Sequence, residues 1–217
     1  MNTSVDGNKL SMSKATISRL PVYRRYLKEK QAEGHIYISS ASIAKDLELT
    51  SVQVRKDLAL VSSVPGKPKA GFRIDNLIVD IEEYFGYTYK KNAVLVGVGH
   101  LGKALLSYNR FEKYGLNIVA AFEHNESKVG TQFAGKNIYS IDEIQTFIKD
   151  NNVSIGIITV PKTAAQEVCN ILVAAGVKAI WNFAPIILKI KGNIALRNED
   201  MAASLAKLSI LMSEKNI

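Results

Sequence analysis

Cysteine is almost missing from this chain of 217 residues: Cys169 stands alone. One thiol cannot close an internal disulfide, and no paired-cysteine zinc site can be built. Cys169 falls within a helical apolar pattern and reads as a small core residue. Histidine is nearly as scarce, with only His35, His100 and His124, so no His-rich metal site is expected. No apolar run reaches the ~18 residues a membrane span needs. The first residues, Met1-Asn2-Thr3-Ser4-Val5-Asp6-Gly7, lack the basic and apolar regions of a signal peptide. The expectation is a cytoplasmic protein with no membrane segment and no metal.

What the chain does have is an uneven charge. Residues 1–75 hold 13 Lys and Arg against 7 Asp and Glu, whereas residues 76–217 hold 15 against 13. Positive charge gathered in the first third suits a polyanionic partner. The bland alternative is a basic, soluble surface.

The clearest motif is Ala93-Val94-Leu95-Val96-Gly97-Val98-Gly99-His100-Leu101-Gly102. An apolar run reads as a buried parallel strand, and a segment with Ala104, Leu105 and Leu106 follows as a helix. Between them stands G-x-G-x-x-G. In this setting the first glycine permits a tight turn, the second admits a pyrophosphate, and the third lets helix and strand pack closely. A second apolar strand, Leu116 to Phe122, ends in Glu123, 21 residues after Gly102. An acid at that spacing accepts hydrogen bonds from an adenosine ribose. The alternative is a glycine turn doing only structural work. Glu123 would repel a 2′-phosphate, and Lys128 is the only basic residue close by in its loop, so NAD(H) is expected over NADP(H).

Upstream, residues 1–12 read as a disordered tail. A helix follows from Ser13, with Pro21 as a second candidate start and Gly34 closing it. A short helix is expected over Ser40–Leu49, and Thr50 with Gln53 suggests a capping box for another. In that helix Val54, Leu58 and Val61 share one face, with Gln53 and Lys56 pointing elsewhere and Arg55 at the margin. Two short helices joined tightly, the second with a basic outer face, make a helix-turn-helix. The turn-rich stretch Ser62–Arg73 fits a wing that sets lysines against phosphates. The alternative is a small helical dimerisation module.

Downstream, residues 76–90 read as a connecting helix, 141–149 as a helix, 153–161 as a buried strand, 163–175 as a helix and 176–183 as a strand ending in Ala184-Pro185. Alternation of this kind gives a doubly wound parallel sheet whose ligands sit beyond the carboxyl ends of its strands. Thr159-Val160-Pro161 and Phe183-Ala184-Pro185 are thereby nominated, with plain strand-ending turns as the alternative. The last segment, 199–216, is a helix with Met201, Leu205, Leu208 and Leu211 or Met212 on one face. It either closes its own domain or crosses to a partner subunit. The fold class is therefore α/β, divided as 1–12 tail, 13–75 winged helix-turn-helix, 76–92 connector, 93–198 Rossmann-type domain and 199–217 terminal helix.

A dehydrogenase needs a substrate pocket and a proton-transfer group near the hydride. Little chain remains to build one, and no histidine is placed for the task. A DNA module joined to a nucleotide fold without catalytic groups suggests a sensor rather than an enzyme. The alternatives are a small NAD-linked oxidoreductase with an N-terminal extension and a coenzyme A-responsive regulator.

The stretches Ile17-Ser18-Arg19-Leu20-Pro21-Val22-Tyr23, Gln53-Val54-Arg55-Lys56-Asp57-Leu58, Gly97–Gly102, Lys128-Val129-Gly130, Val160-Pro161 with Ala165-Gln166, and Ile180–Pro185 together resemble the Rex family of redox-sensing transcriptional repressors. The resemblance implies a homodimer whose winged helices hold a palindromic operator while NADH is scarce. NADH then rotates the subunits and releases DNA, NAD+ competes weakly, and the terminal helix is domain-swapped. It assigns Gly97, Gly99, Leu101 and Gly102 to the pyrophosphate and Glu123 to the adenosine ribose. Thr159, Val160, Phe183, Ala184 and Pro185 fall at the nicotinamide end, and Val98, His100, Lys128 and Pro161 join the cofactor-binding residues. Arg25, Tyr108 and Asp200 become interdomain switch residues, and Ser40, Ser51, Gln53, Arg55, Lys56, Lys67 and Lys69 meet DNA. Three departures stand out: Glu123-His124-Asn125-Glu126 where the family has Asp-x-Asp-Pro, His100 in the glycine turn, and Lys69-Ala70-Gly71-Phe72 where the wing reads Gly-x-Gly-Tyr.

Overall fold

In a computed structural model, residues 12–214 are described, so all but the last residue of the expected tail lies outside them. The chain divides into two compact units, residues 1–88 and 89–217.

The first unit begins with α1 (Lys14–Ala32), whose first turn is capped by the Ser13 hydroxyl accepting from the Thr16 amide. With that cap in place the helix starts at Lys14 and carries Pro21 inside it, so Pro21 does not mark the start. β1 (Tyr37–Ile38), α2 (Ser40–Asp46) and α3 (Ser51–Ala59) follow, with Ser39 and Thr50 as serine and threonine caps. The reach from Thr50 to the Gln53 amide is 3.2 Å. Val54 and Leu58 are fully buried against Ile43 and Ala44. β2 (Phe72–Arg73) pairs antiparallel with β1, and a hairpin closed by reciprocal Lys67–Gly71 backbone bonds projects between α3 and β2. The helix expected as a connector is α4 (Ile74–Phe85). It packs into the same core as α1 through Leu77, Ile78 and Ile81.

A buried carboxylate ties α3 to α1. Asp57, 3% exposed, accepts from Thr16 Oγ1 (3.0 Å), Tyr23 OH (2.8 Å) and both Arg19 Nε and Nη2 (2.7 and 2.9 Å). Burial pushes its pKa up, but these donors outweigh burial and hold it below the usual carboxylate range. Burial and the same anion raise the Tyr23 phenol to about 12. A second tie, Glu82 of α4 to Arg24 and Lys28 of α1, joins the other pair of helices.

The second unit is a seven-stranded sheet: β3 (Lys91–Val96), β4 (Leu116–Glu123), β5 (Gln132–Phe133), β6 (Lys136–Ser140), β7 (Val153–Ile158), β8 (Ala179–Asn182) and β9 (Ala195–Asn198). The order is β5-β6-β4-β3-β7-β8-β9, parallel except for β5 against β6. Without the β5 edge this is the doubly wound arrangement whose direction reverses at β3. Alternate residues of β3 serve two cores. Val94 and Val96 face the cluster containing α6 (Ile144–Asp150) and α7 (Lys162–Ala174), while Ala93 and Leu95 join the cluster containing Leu106 of α5 (His100–Leu106). Cys169 is buried in α7, where burial pushes its thiol pKa up. α8 (Met201–Glu214) differs from these helices. Its residues 201–213 are all exposed, Met201 and Leu205 by about two thirds. It does not close its own domain.

Asp57→Asn keeps the shape but removes the anion under Arg19 and Tyr23, and should cost about 2–3 kcal/mol of stability at pH 7. Because the folded pKa of Asp57 is depressed, that stability is fully present above ~4 and fades as pH falls through the folded value. Urea unfolding should therefore show a wild-type advantage at pH 7 that shrinks toward pH 3. An equal gap at both pH values would refute this account.

Candidate nucleotide site and nucleic-acid interface

Three strand ends converge where the sheet reverses direction. After β3, Gly97 turns the chain with φ of +100°, and its amide donates to the Phe122 carbonyl at 2.9 Å. A Cβ here would stand 2.8 Å from Val160 Cγ1 and 2.9 Å from the Thr159 carbonyl. Gly102 is tighter still: a Cβ would lie 2.1 Å from the Gly97 carbonyl oxygen. Thr159 holds the turn from β7, its hydroxyl lying 2.7 Å from that oxygen and 3.0 Å from the Val96 oxygen. Gly99 is the opposite case. It caps α5 in extended backbone, is exposed, and has nothing within 4 Å of a would-be Cβ. Open space therefore stands in front of the first amides of α5, which lack intrahelical acceptors. His100 and Leu101 occupy that first turn, His100 exposed and Leu101 half-buried, and Val98 is buried beneath it.

Glu123 ends β4 beside this turn. Its carboxylate accepts from the Val98 amide (2.9 Å), the His124 amide (2.9 Å) and Lys128 Nζ (3.2 Å). Burial pushes its pKa up, yet the amides and the ammonium hold it below the usual range. It is thus an anion at neutral pH, and the Lys128 ammonium also reaches the Val98 carbonyl at 3.2 Å. Asn125, where the family pattern has a second acid, accepts from Ser127 N and Oγ and shapes the loop as an Asx turn.

At the far end of the crevice, Val160 and Pro161 lead into α7, and Phe183 extends β8 by donating its amide to Ile158. The following turn, Ala184-Pro185, is organised by Asn182, a residue that the sequence reading passed over. Asn182 is fully buried; its Oδ1 accepts from the Ala184 amide, and its Nδ2 donates to the carbonyls of Ala184 and Ile186. The available signal was an amide side chain standing inside an otherwise apolar strand. Gln166 of α7 brackets the same loop through the Lys189 N–H and carbonyl.

The first unit carries an open concavity of about 540 Å³ between α3 and the hairpin. Ser40, Arg55, Lys67 and Lys69 line it together with Ser39 and Gly66. Gln53 and Lys56 turn away and line a separate hollow with Ser13 and Arg19. Ser51 is exposed at the start of α3. Of the three expected switch residues, Arg25 is exposed on α1 in the first unit. Tyr108, 46% exposed, packs on Phe111 in the second, where Asp200 accepts from the Ala203 amide at the start of α8. Among the described residues no group of three or more His, Cys, Asp or Glu could hold a metal, and no helix is long and apolar enough to cross a membrane.

Comparison with known proteins agrees with both halves. Residues 11–59 match the family described as "putative DNA-binding protein N-terminus", and residues 88–186 match "CoA binding domain". The redox-sensing transcriptional repressor Rex of Treponema denticola is 38% identical over 92% of this chain and 95% of its own. That of Carboxydothermus hydrogenoformans is 40% identical over 90% and 93%. Among solved structures, RSP in complex with NAD+ and operator DNA superposes with a TM-score of 0.88 at 33% identity, covering 94% of each chain. RSP in complex with NADH gives 0.86 at 32% identity, covering 95% of this chain and 96% of that one. RSP is itself described as a Rex-family repressor. With near-complete coverage at this identity, the chain belongs to the Rex family of redox-sensing transcriptional repressors.

Proposed function

We propose that this protein is a cytoplasmic, homodimeric repressor that holds a palindromic operator and lets it go when NADH occupies the Rossmann-type unit. The observation that carries this reading is the intact glycine cradle of Gly97, Gly99 and Gly102 in a chain whose other unit presents a basic, winged concavity. RSP, solved with NAD+ and operator DNA and separately with NADH, supports it. Residues 13–75 are assigned to DNA, 93–198 to the nucleotide and 199–217 to the dimer, with 76–92 joining them.

Within the nucleotide unit, Gly99, His100 and Leu101 present their amides to a pyrophosphate, and Gly97 and Gly102 keep the turn compact. Glu123 accepts from the ribose hydroxyls, with Lys128 holding its carboxylate in place. Thr159, Val160, Pro161, Phe183, Ala184 and Pro185 surround the nicotinamide. The anionic Glu123 opposes a 2′-phosphate, which favours NADH over NADPH. Ser40, Arg55, Lys67 and Lys69 form one DNA-facing group, extended by Ser51. Gln53 and Lys56 reach phosphates beyond it. Arg25, Tyr108 and Asp200 carry the change between units. The exposed apolar face of α8 is satisfied by a second copy of the chain.

The deciding measurement is fluorescence anisotropy of a labelled palindromic duplex at fixed salt. NADH should release the DNA at concentrations where NAD+, NADPH and coenzyme A leave the complex intact. Release by coenzyme A instead would favour the coenzyme A-responsive alternative, and substrate turnover without specific DNA retention would favour the oxidoreductase. Gly102→Ala forces the glycine turn apart; overpacking of this kind costs about 1–3 kcal/mol. NADH affinity should therefore fall by about five- to 150-fold while operator binding in the absence of nucleotide persists. Ending the chain after Asp200 should convert a dimer into a monomer by light scattering; a dimer that survives the truncation would show that α8 is not the contact.

A further inference from the structure

Asn182 has two amide protons and three acceptors. Besides the Ala184 and Ile186 carbonyls, its Nδ2 lies 2.9 Å from Asn198 Oδ1 on β9. The backbone repeats the connection, since the Glu199 amide donates to the Asn182 carbonyl at 2.8 Å. The neighbouring Trp181, the only tryptophan in the chain, donates its indole N–H to Glu199 Oε1 at 3.0 Å. Arg197 Nε holds the same oxygen at 2.9 Å. Next in sequence comes Asp200, whose carboxylate caps the first turn of α8. Trp181 and Asn182, which lead into the turn assigned to the nicotinamide end, are therefore clasped to Asn198 and Glu199, two of the three residues that lead into α8.

We propose that Asn182–Asn198 and Trp181–Glu199 form the clasp through which occupancy of the nucleotide site is passed to α8, making Asn198 and Glu199 positioning residues for the switch. The inference rests on the NADH reading above. Its physical basis is that Asn182 is sealed from water. When the Ala184-Pro185 turn shifts, its amide cannot turn to solvent and must redistribute its two protons among the three acceptors, one of which sits on β9. Trp181 is braced from the other side by Phe183 at 4.7 Å and Phe111 at 5.5 Å. Movement at Phe183 is thus felt by the indole that Glu199 holds. Neither Asn198 nor Glu199 is placed in the nucleotide or DNA contacts described above.

The test uses linkage: the factor by which saturating NADH weakens operator binding equals the factor by which operator weakens NADH binding. It is measured for the full-length wild type, Asn198→Ala, Glu199→Ala and Glu199→Gln. Energy transfer from Trp181 to the reduced nicotinamide reports NADH binding directly, and anisotropy reports operator binding. Asn198→Ala leaves Asn182 with an acceptor for each proton, so the fold is kept. Asn198→Ala and Glu199→Ala should each bind NADH and, without nucleotide, the operator within about threefold of wild type, while the coupling factor drops by about tenfold. Glu199→Gln still accepts from Trp181 and should keep wild-type coupling, which a general loss of packing would not explain. Unchanged coupling in both alanine variants, or parallel loss of NADH and operator affinity in them, would overturn the clasp. Wild-type protein that shows no energy transfer would overturn the NADH reading itself, and the clasp with it.

Discussion

A single carbonyl oxygen, that of Gly97, sets the geometry on which the second unit depends. Gly102 must approach it so closely that no side chain fits, and the Thr159 hydroxyl pins it from the neighbouring strand. This contact fixes the entry angle of α5 against β3, and so decides where the free amides of the first helical turn point. Glu123 reaches across from β4 to the Val98 amide, adding the third strand end to the same knot. Three strands meet here because the sheet reverses its direction of winding at β3, which opens a crevice that loops alone would close.

The first unit is fixed by a different kind of contact. Asp57 sits on the face of α3 turned toward α1, and its four hydrogen bonds fill the acceptor sites of the carboxylate. Helices as short as α2 and α3 have little stability of their own. Their orientation comes from the apolar seam of Ile43, Val54 and Leu58 and from this buried anion. The same rotation of α3 that buries Asp57 sends Arg55 toward the hairpin and Gln53 and Lys56 to the other side. Charge on α3 is thus distributed by the packing of its neutral face.

Much of this was legible in residue order. The glycine spacing, the acid at the end of the next strand, the capped helix pair and the alternation of apolar strands with helices are local patterns, and local patterns survive in a sequence. What escaped had weak or long-range signals. β5 and β6 are short and polar around Gly135, and β9 is a mostly exposed edge strand, so neither shows a buried run. Pro21 looked like a helix start because proline favours the first turn, but Ser13 already caps one two turns earlier. Asn182 escaped because its partner Asn198 is defined only once β8 and β9 lie side by side. The role of Asp57 likewise depends on residues 34 to 41 positions away.

The wing shows how two glycines of one family pattern can be under unequal constraint. Gly71 has φ of +82°, and a Cβ there would stand 2.2 Å from the Ile38 carbonyl oxygen. Backbone conformation and space both demand glycine at that position. Lys69, where the family pattern has its other glycine, also lies in the left-handed region with φ of +64°, but it is exposed at the hairpin tip. Its constraint is conformational alone, about 1–2 kcal/mol for a residue with a Cβ. Against that cost the chain gains a cation in the concavity shared with Arg55 and Lys67. A strained backbone that places charge beside Arg55 and Lys67 is tolerable because the reciprocal Lys67–Gly71 bonds hold the hairpin from its base. The substitution therefore falls at the one glycine of the pair that steric contact leaves free to change.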